Sequence, residues 1–155
     1  MSAIEAASAL HEPVEHFDQL AQLEVAALGA HAGEPIAVCD RARASSRRLI
    51  AEEPQPAAPT TGLQALLRGR RAERELQVRV EAWYDALDAL EAETEAAIGR
   101  WRTAADPALV AAATADRDAA IRSLVERGLF EASLGDGICA EPLGTMLVRS
   151  ALAHD

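Results

Sequence analysis

Between Leu63 and Ala104 the chain runs without a proline, and inside that stretch Leu76, Val80, Trp83, Leu87, Leu90, Thr94, Ala97 and Trp101 recur at alternating steps of four and three. A seven-residue repeat held for nearly four heptads places these side chains on one stripe of an α-helix. Trp83 and Trp101 stand five full turns apart at 3.6 residues per turn, so they share that stripe. A helix of about 42 residues would be ~63 Å long. Such an element must find helices to pack against, which predicts an all-α fold. Gly69 and Gly99 are its weak points.

The rest of the sequence keeps the helical period, and no segment shows the period-two alternation of a strand. A short helix is expected over residues 3–10. Pro13 restarts the chain, and Val14, Phe17, Ala21, Val25 and Leu28 follow at helical steps until Gly29 and Gly33. Pro35 is expected to open a second helix through Ile36, Val38, Cys39, Ala42, Leu49 and Ile50, ending at Glu52 and Glu53. Residues 54–62, with three prolines, read as a stiff connector. Asp106-Pro107 is an N-cap followed by proline in the first turn, so a further helix should run from there towards Gly128. Residues 131–141, with Gly135-Asp136-Gly137, read as a loop, and Pro142 as the start of a last short helix carrying Leu143, Met146, Leu147 and Leu152. The expected architecture is one domain over 1–155, an elongated antiparallel bundle of about four main helices. It comprises an N-terminal pair (1–53), the linker (54–62), a long hairpin (63–130) and a C-terminal loop and helix (131–155).

Half of the residues are apolar, but much of that half is alanine and only 3% are aromatic. The core is therefore expected to be thin, with helices close together. A net charge of −10 argues against nucleic-acid affinity and against anionic membrane surfaces. No apolar run reaches the ~20 residues of a membrane span. The opening residues Met1 to Glu5 lack the basic region of a signal peptide, so a cytoplasmic location is expected. Cys39 and Cys139 lie far apart with no metal-binding spacing and are expected to be small buried side chains.

No catalytic, cofactor or metal constellation emerges. His11 and His16 are five residues apart with Pro13 between them, whereas a zinc-protease helix needs histidines four apart. A set of Glu12, His16, Glu24 and His31 lacks the Glu-x-x-His of di-iron bundles. The serines sit in no nucleophile elbow. What remains is a surface for a protein partner. Arg68, Arg70, Arg71 and Arg74 make a basic patch near the start of the long helix, with Glu73 and Glu75 beside them to pair across turns. Arg47 and Arg48 make a second, beside Glu52 and Glu53. Trp101 is the aromatic that a partner groove would use at the far end of the stripe. The acidic run Glu81, Asp85, Asp88, Glu91, Glu93 and Glu95 reads as a solvated face.

In residues 20–50, the spacing of Leu20, Leu23, Glu24, Ala27, Leu28, Ile36, Arg43, Arg48 and Leu49 resembles the first part of the FlgN-like flagellar export chaperones. That resemblance implies a helical, cytoplasmic, non-enzymatic protein holding a secretion or flagellar export substrate. The leading expectation is accordingly a chaperone-like adaptor that binds a helix of its partner. The alternatives are a small-ligand sensor or enzyme with a pocket between helices, lined by such polar residues as Thr94, Cys39 and Arg43, and a structural homodimer joined through the long helix.

Overall fold

The computed structural model describes residues 13–56 and 62–153. Among them every regular element is helical: α1 (Pro13–Leu28), α2 (Gly33–Ala51), α3 (Leu63–Ala104), α4 (Pro107–Glu126), α5 (Ala132–Ala140) and α6 (Thr145–Leu152), with a 3-10 turn at Gly29–His31. The helix expected over residues 3–10 and residues 57–61 of the linker lie outside the described residues. No helix of the described residues is long and apolar enough to cross a membrane.

The helix ends have local causes. Pro13 begins α1, where a missing N–H costs nothing. At the α3–α4 junction the Asp106 carboxylate accepts from the Ala108 N–H at 2.9 Å, and Pro107 follows in the first turn. At the other end of α4, Gly128 takes a φ of 73°. Its N–H donates to the Val125 carbonyl, and that of Leu129 to the Leu124 carbonyl. This paired closure stops the helix where only glycine sits without strain.

Residues 132–140 are helical rather than a loop. Gly135 is buried, and a Cβ on it would stand 2.7 Å from Cγ2 of Val125. The absence of a side chain lets α5 press onto α4, so Ile138 and Phe130 reach a shared core with Leu20, Ile121 and Met146. Tertiary burial outweighs the low helix propensity of two glycines.

The packing order also departs from the expected hairpin. α3 and α4, joined by the tight turn at Asp106, hardly touch. α3 packs against α2 and α6, while α4 packs against α1 and α5. The eight-residue α6 is the centre of the assembly, lying against α1, α2 and α3 with Met146, Leu147, Val148, Ser150 and Ala151 buried. The larger core joins Ala21, Leu28, Cys39, Ile98, Trp101 and Leu147. Trp101, which the sequence offers to a partner groove at the far end of the stripe, is only 8% exposed. Trp83, on the same stripe, is half-buried, with its indole N–H donating to the Leu49 carbonyl at 2.6 Å. The reason is geometric: α2 has 19 residues and α3 has 42. α2 can therefore cover less than half of its partner.

Candidate functional site

α3 has a packed half and a projecting half. Around Thr94, Ile98 and Trp101 it is buried. None of the described side chains over residues 63–82 is buried. Among the described residues, the large apolar side chains standing in solvent are all on α3: Leu63 at 81%, Leu66, Val78 and Tyr84 at 56%. Stripes two residues apart are about 200° apart on a helix. Arg74, Val78, Glu81, Asp85 and Asp88 each precede by two a residue of the inward stripe, Leu76, Val80, Trp83, Leu87 and Leu90. They therefore line the back of α3, turned away from α2.

The four arginines proposed from the sequence lie on this arm. Arg71 Nε donates to Glu75 Oε1 at 3.0 Å. Arg68, Arg70 and Arg74 make no side-chain hydrogen bond or ion pair among the described residues, and neither do Arg47 and Arg48. Local pairing therefore accounts for one of the four, and three guanidinium groups remain available. Trp101 does not join them. It is enclosed with Ile98, Leu143 and Leu147, where α6 and the turn before it close over the end of α3. At 8% exposure it offers a partner little surface.

A second polar constellation lies at the packed end. Glu24 and Arg117 are both fully buried, at 0% exposure. Glu24 Oε2 accepts from the Gly144 N–H at 2.7 Å, and Oε1 from the Leu147 N–H at 2.9 Å. Gly144 is the N-cap residue of α6 and has no side chain to cap it. A carboxylate from α1 thus satisfies the open end of α6 and faces its positive pole. Gly144 has φ 98°, and a Cβ there would meet Ile98 Cγ2 at 2.6 Å. Arg117 Nη1 stands 3.4 Å from Glu24 Oε2, Nε donates to Asp118 Oδ1 at 3.0 Å, and Nη2 donates to the Glu141 carbonyl at 2.9 Å. Burial pushes the Glu24 carboxyl above its ordinary range, opposed by the two amides and by Arg117. The pair is a clamp on the fold, with no free oxygen or N–H directed towards solvent.

From the sequence, Glu24 enters only the rejected metal set and the FlgN-like spacing, and Arg117 enters nothing. A signal was there in both. Glu24 sits four residues from Leu20 and from Leu28, and Arg117 four from Ala113 and from Ile121. Each is a single charge on an apolar stripe, and the two charges are opposite.

Between α1, α2 and α6 lies an open cleft of about 720 Å³, with Ala21, Cys39, Ser46, Ser150 and Ala151 among its lining. Cys39 and Arg43 line it, but Thr94 does not. The Thr94 hydroxyl donates to the Leu90 carbonyl at 2.6 Å within α3. Burial raises the Cys39 thiol to about 11, so it is a neutral apolar group at neutral pH. Among the described residues no group of three or more His, Cys, Asp or Glu is placed to hold a metal ion. The side chains of His11, Glu12 and His16 lie outside the described residues. No protein family, no curated protein and no solved structure matches this chain.

Proposed function

We propose that this protein is a non-enzymatic helical adaptor that docks an acidic amphipathic helix of a protein partner along the projecting half of α3. The observation that carries the reading is the coincidence, on one uncovered arm, of exposed Leu63, Leu66, Val78 and Tyr84 with unpaired Arg68, Arg70 and Arg74. Exposed large apolar residues on an otherwise charged helix mark interaction surfaces. Arginine adds forks that bind carboxylates bidentately. A helix laid along α3 would bury the apolar residues while its acidic side chains meet the arginines. An elongated bundle with one long helix suits this task, and a chaperone role follows where the docked helix belongs to an exported protein. The test is binding of a synthetic acidic amphipathic peptide, measured by fluorescence anisotropy. Arg70→Glu/Arg74→Glu is expected to weaken it at least ~tenfold. Equal binding by the wild-type and the variant would sink the reading.

A second reading, a small-ligand sensor, draws on the cleft between α1, α2 and α6. A stoichiometric small molecule in native mass spectra would support it, and the bare chain mass would count against it.

A further inference from the structure

We infer that the acidic helix fitting the arginine arm is α3 of a second copy of this chain, docked antiparallel about a twofold axis at Glu81. The inference builds on the reading of the arm as a docking surface and names its occupant.

The back of α3 changes sign along its length. Arg70, Arg71 and Arg74 occupy its first half, and Asp85, Asp88 and Glu95 its second. All six are exposed. The acidic three make no hydrogen bond or ion pair among the described residues. The partner chemistry required by the arm is therefore displayed on the same helix, about three turns further on. A surface that is positive at one end and negative at the other is complementary to itself only in the antiparallel direction, which is the isologous arrangement of a twofold dimer. The inward stripe stays with α2, so both copies keep their own fold.

Register follows from equal distances on either side of the axis. Arg74 and Asp88 each lie seven residues from Glu81 and sit near the middle of the face, so Arg74 meets the partner's Asp88. Arg70 falls between the partner's Asp88 and the partner's Glu95. Val78 and Tyr84 are each three residues from Glu81, on opposite flanks of the stripe. Flank positions near such an axis meet their own counterparts, so Tyr84 approaches the partner's Tyr84, and Val78 the partner's Val78. These supply the apolar area. The charges set direction and register, because exposed ion pairs contribute little affinity by themselves. The two Glu81 carboxylates face each other on the axis and oppose association.

The test is sedimentation velocity across a concentration series at low and high salt, with thermal melts of each variant to check folding. The wild-type chain is expected to form dimers that weaken as salt rises. Arg74→Glu and Asp88→Arg each should weaken association at least ~tenfold. The double variant Arg74→Glu/Asp88→Arg, with the charges exchanged, should recover it to within about threefold. Glu81→Gln should tighten it. A wild-type chain that stays monomeric throughout, or a double variant no better than the single ones, overturns the inference. A monomer that still binds the unrelated acidic peptide through Arg70 and Arg74 would remove self-pairing and leave the adaptor reading standing.

Discussion

Arg117 and Arg74 are the same side chain in opposite surroundings. Arg117 is enclosed at the packed end with Glu24, Asp118 and the Glu141 carbonyl. Arg74 stands on the arm with no partner among the described residues. The difference lies in the desolvation each has undergone. A guanidinium withdrawn from water is tolerable only with a full set of acceptors, and each acceptor then becomes costly to remove. A solvated guanidinium has surrendered nothing, so its removal costs the fold little and its charge is free to meet another molecule. One arginine organises the domain, and the other is available to recognise a partner.

The largest expected effect is therefore at the packed end. Arg117→Met should cost about 3–5 kcal/mol, because it leaves Glu24 buried without its counter-charge. Arg74→Ala should stay within about 0.5 kcal/mol. Urea titrations of the two variants make the comparison, and equal midpoints would break it. Combining Glu24→Leu with Arg117→Met should cost less than the two single changes added together, since the double variant leaves no lone buried charge.

The tryptophans offer the next contrast along α3. Trp101→Ala should cost about 3–5 kcal/mol, as truncations of enclosed aromatics do. Trp83→Ala should cost about 1–3 kcal/mol, losing partial burial and the hydrogen bond to the Leu49 carbonyl. Thermal melts that rank Trp83 above Trp101 would place the arm, and not the α6 end, at the heart of the bundle.

A smaller effect probes the cap that Glu24 supplies. Gly144→Ala should lose about 1–3 kcal/mol, because it sets a Cβ against Ile98 in a backbone conformation that favours glycine. Equilibrium unfolding checks it. A neutral substitution would mean that the turn before α6 relaxes freely, which would loosen the link between Glu24 and the helix it caps.

The projecting arm was readable as a helix from its own residues, and so were its four arginines. What the sequence reading could not supply was which stretch of α3 would be covered, because coverage depends on the length and placement of α2. The heptad stripe continues past Trp83, but α2 ends at Ala51. Trp101 looked like a terminal residue because the turn at Asp106 follows it closely, and nothing local announces that α6 folds back from far along the chain to enclose it. The glycines of α5 misled in the same way, since a propensity argument weighs residues one at a time.

The sequence by itself determined the all-helical class, through a period that recurs in nearly every segment, and it determined helix ends wherever the cause lies within a few residues. The Asp106 cap and the Gly128 stop are such cases, because backbone groups there are satisfied by immediate neighbours. Only the tertiary structure decided that α3 and α4 diverge, that α6 sits at the centre, and that Glu24 and Arg117 meet across ninety-three positions. Those outcomes depend on which apolar faces bury most area together and on which distant groups can satisfy a charge withdrawn from water. That sum runs over the whole chain, and no window of sequence contains it.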